Sequence, residues 1–492
     1  MKAFKLCSMA LLNMMVLLVS SCSDFLDLEP KSALTDENFW TTQGDVDAAV
    51  AGGYALIRAA FNRADGLSFY AYGDLPSDEI SAANVTPFGQ ILNGQWNLYV
   101  APSDVNHAMY QLRRYDRFYR VVDHANRIIE NLQKMDVAVF DSQARRDFLL
   151  GEAYFIRAFT YFYMGRIWGG VPLVTEAVAP LHAENHAAAR PEEVLAQSLS
   201  DLEKAKALLA WENATSADFA VRANKGAAFA LEAHLHAWMG EYEGAAAAAD
   251  SVIQSQLYYY VSRDSLVYRN IFRGNSSEGI FEISQNTANE GTRSGIGEAT
   301  LVSPYNRRTV PVLVVPPARI SNLFDNPDDK RLKFMFDTTI NSSYVICSKY
   351  ANLTFSDESN NAVPVYKNNT VVFRYSDIKL LRAEALAATG DGAAARELLN
   401  EVRMQAGLPA WDGSGSLVEA IFDERARELF LEGHRYYDMV RLYKYFGIFQ
   451  FPSAKMTSDQ FNRGKYYWPF DPSLLNQNPL LRQTPYWGTV NL

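Results

Sequence analysis

The chain has 492 residues, of which 48% are hydrophobic and 21% charged, and its formal net charge is −10. This acidic balance argues against nucleic acid as a partner, because a nucleic-acid-binding surface needs an excess of Lys and Arg. The length is ample for a large hydrophobic core or for two closely joined domains.

The N-terminal residues predict export and a lipid anchor. Two lysines precede an apolar stretch, Leu6 to Val19, that is short for a membrane-spanning helix. The following "LVSSC" resembles the bacterial lipobox, which implies cleavage before Cys22, a diacylglycerol on its thiol and acylation of the new amine. Residues 1–21 are thus predicted to be a lipoprotein signal peptide and residues 22–34 a lipid-anchored tether. An ordinary signal peptide with a chance cysteine is the alternative.

Cysteine usage predicts a fold without disulfides. Cys7 leaves with the signal peptide, so Cys347 would be the one free thiol besides the lipidated cysteine. An exported chain without a disulfide framework depends on core burial for its stability.

Amphipathic helices dominate the rest of the chain. Thr35, followed by acidic residues, is predicted to cap a first helix in which Val46, Val50 and Ile57 share one face. The same helical spacing is found in "YDRFYRVVDHANRIIENLQKM", "FLLGEAYFIRAFTYFYMGRIWGG", "RPEEVLAQSLSDLEKAKALL" and "NKGAAFALEAHLHAWMG".

Two segments predict helical hairpins of similar construction. "LHAWMGEYEGAAAAADSVI" and "LAATGDGAAARELLNEVR" each contain a helix, a turn at Gly240 or Gly390, and a second helix rich in alanine. Small residues allow two helices to approach closely, and glycine permits the left-handed turn between them. This pattern is typical of tetratricopeptide-like hairpins, although no tandem 34-residue period is present.

Three polar, aromatic insertions interrupt the helices, at residues 66–104, 287–319 and 341–369. Strand-like pieces such as "GIFEIS" and "NTVVFRYS" border them. Long structured loops on a rigid frame are a common location for binding sites. The expected fold class is therefore all-α, with tetratricopeptide-like hairpins, long irregular insertions and a few short strands.

Several blocks in order along the chain resemble one family. They are "CSDFLDLEP", "NFWTTQGDVDAAVAGGYALI", "GEAYFIRAFTYFYMGRIWGGVPLV", "FRYSDIKLLRAEAL", "DERARELFLEGHRYYDMVRL" and "NPLLRQTPYW". On these blocks the chain is identified as a member of the SusD/RagB family of outer-membrane lipoproteins of Bacteroidetes. The resemblance implies four tetratricopeptide-like hairpins supporting a less regular lobe. It divides the chain into an N-terminal helical region, 35–286, and a C-terminal region, 287–492.

The resemblance also implies a function. Such proteins are surface-exposed lipoproteins of the cell outer membrane that act as a lid on a SusC-like TonB-dependent transporter and capture nutrient for import. The ligand is a glycan in most characterised relatives and a peptide in the RagB branch. The expected partners are thus the transporter, a glycan or alternatively a peptide, and outer-membrane lipid through acylated Cys22. No cofactor, metal or catalytic residue is expected.

The first insertion supplies the first candidate ligand residues. A glycan binder needs flat apolar faces for the sugar rings and polar side chains for the hydroxyls. Tyr72, Asp74 and Asn93 provide such groups. The family likeness adds Trp96 and Asn97 as the leading pair, because sugar-binding relatives carry an aromatic residue and an asparagine in this part of the chain. Packing in a local core is the alternative role for each aromatic ring.

The second insertion adds Tyr305, Arg307 and Arg308. The guanidinium of an arginine can bind a carboxylate or neighbouring hydroxyls. Arg307 and Arg308 are therefore predicted either to bind the ligand or to balance the charge of nearby acids.

Other chemistry is weaker. Glu424, Glu428 and Glu432 in the "DERARELFLEGHRYYDMVR" helix suggest a catalytic cluster, but the preferred interpretation is a partly buried ion-pair network that locks the C-terminal hairpin, with much of the pairing within the helix. "HAENH" at residues 182–186 lacks a third metal ligand, and "DNPDD" at 325–329 is predicted to be a turn before a helix. A secreted glycoside hydrolase remains an alternative, since two carboxylates suffice for glycoside hydrolysis. A purely structural adaptor is a further alternative.

Overall fold

The structure is a computed structural model that describes residues 39–82, 88–178, 184–285, 290–291, 294–356 and 363–490. The predictions for the signal peptide, for Cys22 and for a cap at Thr35 lie outside these residues, as does the predicted domain boundary at residue 286. In the described part of the chain, no helix combines the length and apolar character that crossing a membrane requires.

The described residues contain ten helices of at least 12 residues, as the sequence periodicity predicts. They are α1 (Gln43–Phe61), α2 (Asp116–Lys134), α3 (Gln143–Trp168), α4 (Pro191–Leu208), α5 (Lys225–Met239), α6 (Tyr242–Gln254), α7 (Tyr375–Ala388), α8 (Gly392–Gln405), α9 (Leu417–Glu428) and α10 (Arg435–Phe446). Shorter helical segments are Arg63–Gly66, Ser68–Gly73, Gly89–Leu92, Ala108–Leu112, Asn270–Arg273, Ile296–Thr300, Pro317–Leu323, Lys330–Met335, Ser458–Asn462 and Pro472–Gln477.

The helix α1 begins with a complete capping box. The Thr42 hydroxyl accepts a hydrogen bond from the Asp45 N–H (3.2 Å), and the Asp45 carboxylate accepts one from the Thr42 N–H (2.7 Å). These two bonds satisfy donors that the first turn of a helix leaves unpaired, so the helix starts at this threonine.

The helices α1 to α8 form a continuous array in which each packs against the next in the chain. The two predicted hairpins are confirmed as the pairs α5–α6 and α7–α8. Gly240 ends α5 with φ of 84°, and a Cβ atom there would lie only 2.4 Å from the Tyr445 ring. Both the left-handed backbone and the close ring therefore require glycine at this turn.

The helix α3 is the centre of the core. Every residue from Phe148 to Trp168 is buried, and the helix ends at Gly169 with φ of 76°. A helix that is buried on all sides is surrounded by other elements. Here the neighbours are α1, α2 and α4, together with the ring of Phe281 from the segment that precedes the second insertion.

Eight short strands within the described residues belong to the irregular lobe. They are β1 (Ser81–Ala82), β2 (Gly279–Ile283), β3 (Leu313–Val314), β4 (Phe336–Asp337), β5 (Ile346–Cys347), β6 (Leu353–Phe355), β7 (Pro364–Tyr366) and β8 (Thr370–Arg374). They pair antiparallel as β1–β3, β2–β8, β4–β5 and β6–β7. The β1–β3 pair, with Ser81 opposite Val314, joins the first insertion to the second.

The acidic residues of α9 are buried in a network of ion pairs. Glu428 accepts hydrogen bonds from Arg263 (2.7 Å), Arg374 (2.8 Å) and Arg331 (3.0 Å). Burial by itself raises the pKa of Glu428, but the three guanidinium charges outweigh it and hold the pKa well below its usual value.

The predicted ion-pair network is confirmed, but most of its partners lie on other elements and not within the helix. Arg425 binds Asp377 of α7 and Asp438 of α10. Arg427 and Glu424 still pair within the helix (2.9 Å), but Arg425 and Glu428 hold separate elements together.

Candidate ligand-binding surface

Trp96 lies in the hydrophobic core and not on a binding surface. Its side chain is 1% exposed, and its ring stacks on that of Trp468 with centroids 4.4 Å apart and an interplanar angle of 6°. The indole N–H donates to the Ile91 carbonyl (3.3 Å). The prediction of Trp96 as a sugar platform is corrected, because a buried ring offers no face to a ligand.

Tyr72 and Asp74 are likewise internal, which corrects their assignment as ligand residues. The Tyr72 hydroxyl donates to the Leu112 carbonyl (2.7 Å), and burial raises the pKa of Tyr72 to about 12. The Asp74 carboxylate accepts the Gly433 N–H (2.8 Å). Tyr72 therefore holds the first insertion to the helix Ala108–Leu112, and Asp74 holds it to the turn between α9 and α10.

Asn93 and Asn97 remain near the surface. Asn93 is exposed and ends the short helix Gly89–Leu92, whereas Asn97 is half-buried. The nearest exposed ring in this segment is Tyr99, which is 73% exposed. Their role in ligand binding stays a prediction, now with Tyr99 in place of Trp96 as the accessible aromatic group.

The second insertion presents its predicted residues together. Arg307 and Arg308 are exposed and Tyr305 is half-buried. The Arg307 guanidinium lies 4.1 Å from the centroid of the Phe355 ring in β6. We call Tyr305, Arg307, Arg308 and Phe355 the insertion surface. It combines aromatic rings with forked donors, which is the chemistry that sugar recognition requires.

Polar contacts fix the insertion surface from beneath. Arg308 Nε donates to Glu298 (2.5 Å), and the other oxygen of Glu298 accepts the Tyr366 hydroxyl (2.7 Å). The buried Asn306 side chain donates to that hydroxyl (2.7 Å). On the other side, the Tyr305 hydroxyl donates to Asp337 (3.3 Å). The surface is therefore preorganised by the buried Asn306 and Tyr366 and by the half-buried acids Glu298 and Asp337.

Phe355 is a residue of this surface that the sequence did not reveal. It belongs to the third insertion, 48 positions after Arg307, and pairs through β6 with β7. The alternation of "LTF" is the available signal, since it predicts a short strand with side chains on alternate faces. The sequence does not say which neighbouring group its ring meets.

One buried cluster has the residue types of a metal site. The ligand atoms of His234, Asp377 and His434 all lie within 4.8 Å of one another. However, Asp377 already accepts hydrogen bonds from His234 (2.7 Å) and Arg425 (3.0 Å). Burial lowers the pKa of His434 to about 4. The charge of Arg425 opposes a bound cation, so the arrangement fits neutral histidines in a hydrogen-bonded core.

The first insertion contains two buried acids. Asp74 and Glu79 are both fully buried, and Glu79 Oε2 accepts the Leu431 N–H (3.1 Å). Its other oxygen has no hydrogen-bond partner among the described residues. Burial, and then the charge of Asp78, raise the pKa of Glu79 to about 8.

We expect Glu79→Gln to remove a component of the pH dependence of stability. Between pH 4.5 and 8 the folded chain binds a proton at Glu79 that the unfolded chain releases. The free energy of unfolding therefore falls by about 1.4 kcal/mol per pH unit across this window as pH rises. Measured by urea denaturation, the free energy of unfolding of Glu79→Gln should increase relative to that of the parent from pH 5 to 8.

The control is Glu397→Gln on the exposed face of α8. Parallel curves for Glu79→Gln and the parent would contradict this account.

Two family models match separate parts of the chain. A SusD-like model described as "Starch-binding associating with outer membrane" matches residues 24–236, and the "SusD family" model matches residues 335–487. Together they include eight of the ten long helices in full, most of α5 and the whole of the first insertion.

Curated relatives match over nearly the whole chain. SusD-like protein P38 of Formosa agariphila is 28% identical over 546 residues, covering 99% of this chain and 100% of the relative. SusD-like protein P25 of the same organism is 25% identical and covers 86% of this chain and 87% of its own length.

Solved structures show the same architecture. A SusD homolog from Bacteroides thetaiotaomicron has a TM-score of 0.79 at 26% identity and covers 91% of this chain and 98% of its own. NanU of Bacteroides fragilis has a TM-score of 0.72 at 22% identity, with 93% of this chain and 99% of that chain covered. The second likeness supports the fold alone. With the helical array, the irregular lobe and matches in both halves, the chain belongs to the SusD-like family.

Proposed function

We propose that this protein binds oligosaccharide or polysaccharide nutrient at the cell surface, without cleaving it, and delivers it to a SusC-like TonB-dependent transporter. In this proposal, acylated Cys22 anchors the chain in the outer membrane. The family description of starch binding in association with the outer membrane supports both the ligand class and the location.

The insertion surface is the observation that carries the proposed ligand site. It is the predicted site whose polar groups remain exposed beside aromatic rings, whereas Trp96 and Tyr72 are buried. A sugar ring stacks on an aromatic face through its C–H groups, and a guanidinium donates to neighbouring hydroxyls. The Arg307 guanidinium lies over the Phe355 ring, 4.1 Å from its centroid, so the donor and the aromatic group are adjacent.

Binding without cleavage is favoured by the state of the carboxylates. The catalytic interpretation rested on Glu424 and Glu428 of α9 and on Glu432, which lies between α9 and α10 because the motif forms two helices and not one. Each is buried and bonded to basic side chains, for example Glu432 to Lys349 (2.6 Å). A general acid or base must reach the substrate, and a glutamate in a closed ion pair does not.

We expect Arg307→Ala to weaken binding of the preferred glycan by about tenfold, and Phe355→Ala by a similar factor. Isothermal titration of the protein against plant, host and microbial polysaccharides would first identify that glycan, with a peptide library in the same panel. The control is Arg396→Ala, which removes an exposed arginine from α8.

The same titrations separate the competing functions. Binding of one glycan without release of new reducing ends supports the proposal. Release of reducing ends would instead show a glycoside hydrolase. If peptides bind and no glycan does, the RagB-like peptide function would be the better description of this chain.

A further inference from the structure

A second cleft opens beside the first half of α2, in a part of the chain that contributes nothing to the insertion surface. It has a volume of about 450 Å³, which lies in the range of small-molecule sites. We call it the α2 cleft, and the residues used below are Tyr115, Tyr119, Arg120, Glu184, Asn185 and Gln477.

Aromatic and apolar groups form the inner part of the α2 cleft. The rings of Tyr115 and Tyr119 pack edge to face, with centroids 5.0 Å apart. The Tyr119 hydroxyl donates to the Pro172 carbonyl (2.5 Å), which fixes the ring against the segment that follows α3. Val174 and Leu474 belong to the apolar lining, together with Val122, Pro172 and Val178. The inner part is thus rigid and suited to the C–H face of a sugar ring.

Two acidic side chains at the cleft already have hydrogen-bond partners within the protein. Asp116 accepts two hydrogen bonds from Arg114, each 2.9 Å long. Asp123 accepts Arg127 Nε (3.0 Å) and the Val178 N–H (3.0 Å). Because these carboxylates have their own partners, they are not available to neutralise other charges at the rim.

Four rim groups remain uncommitted. Arg120, Glu184, Asn185 and Gln477 are all exposed, and in the described part of the chain their side chains make no hydrogen bond or ion pair. The set contains one cationic donor, one anionic acceptor and two amides that both donate and accept. Its formal charges cancel, so it matches a ligand that is rich in hydroxyls and carries no net charge.

We propose that the α2 cleft is a second saccharide-binding site, specific for a neutral sugar residue. The sugar's C–H face would lie on the tyrosine rings, and its hydroxyls would bond with Arg120, Glu184 and the two amides. This inference rests on the proposed saccharide ligand and adds a separate site for it. Two sites on one chain would hold a polysaccharide more tightly than a short fragment, because the second contact becomes intramolecular.

The test is to measure, by isothermal titration, how many molecules of a short neutral oligosaccharide bind to each chain. The oligosaccharide is a fragment of the glycan that binds best. Titration of the parent protein is expected to give two sites per chain. The double variant Arg120→Gln/Glu184→Gln keeps hydrogen-bonding groups but loses both charges, and it should weaken the cleft site by about tenfold. Arg307→Ala should weaken the other site and leave the cleft unchanged. The matched control is Arg396→Gln/Glu397→Gln, an adjacent exposed pair on α8.

The outcomes distinguish the two proposals. A single site that is lost with Arg307→Ala and unaffected by the cleft variant overturns the cleft site and leaves the proposed function intact. A single site lost only with the cleft variant supports the cleft and moves the ligand away from the insertion surface. If no glycan binds, both proposals are overturned. If acidic oligosaccharides bind at the cleft more tightly than neutral ones, its assignment to neutral sugars is overturned.

Discussion

Replacing Glu428 with Gln is expected to lower the free energy of unfolding by about 3–5 kcal/mol. The side chain is fully buried and bonds to Arg263, Arg331 and Arg374. Glutamine has nearly the same shape but no charge. The variant therefore leaves three buried guanidinium groups with one fewer counter-ion, and their desolvation is no longer fully offset.

The measurement is urea denaturation at neutral pH, followed by circular dichroism. The control is Glu397→Gln on the exposed face of α8, which should change the free energy of unfolding by less than about 0.5 kcal/mol. A loss of under about 1 kcal/mol in Glu428→Gln would show that the remaining acids compensate and that the network does not hold these elements together. A large loss that disappears in high salt would point to an exposed pair, since salt screens buried pairs much less.

The helical part of the fold could be predicted because its signals are local. Helical periodicity, alanine-rich packing faces and glycine turns such as Gly240 all lie within a few residues of the structure they determine. The turn before the helix at Lys330 is confirmed for the same reason, since Asp329 caps it by accepting the Arg331 N–H (2.8 Å).

The ion-pair partners could not be predicted, because they are far apart in the sequence. Arg263 and Glu428 are 165 positions apart, and Arg374 and Glu278 are 96 apart. The spacing within α9 offered plausible neighbours three and four residues away, and so suggested pairs on one helix surface. Burial of the helix end gives most of these charges partners on other elements, although Arg427 still pairs with Glu424.

The binding residues were harder to predict for a related physical reason. An aromatic ring in a polar insertion fits either a core or a binding surface, and only the three-dimensional packing decides between them. Trp96 and Tyr99 are three positions apart in one insertion, yet the first is 1% exposed and the second 73% exposed. Arg307 could be chosen from its residue type, but its contact with Phe355 depends on how two insertions meet.

Trp96→Ala is expected to destabilise the fold by about 3–5 kcal/mol, as truncation of a buried aromatic side chain usually does. The indole packs on Trp468 and lies 5.9 Å from Trp487, centroid to centroid, so its removal opens a cavity where the first insertion meets the C-terminal segment. Trp96→Phe should recover part of the loss, because it keeps an aromatic ring in the same space.

Tyr99→Ala is the matched control for that experiment, because it removes an exposed ring from the same insertion. It should change the free energy of unfolding by less than about 0.5 kcal/mol. Each variant would also be titrated with the preferred glycan under conditions in which it is fully folded. Folded Trp96→Ala should bind with nearly the affinity of the parent, since the ring has no accessible face. Loss of glycan binding in Trp96→Ala, with an unchanged free energy of unfolding, would restore this tryptophan as a ligand platform and would mean that the first insertion opens when ligand binds.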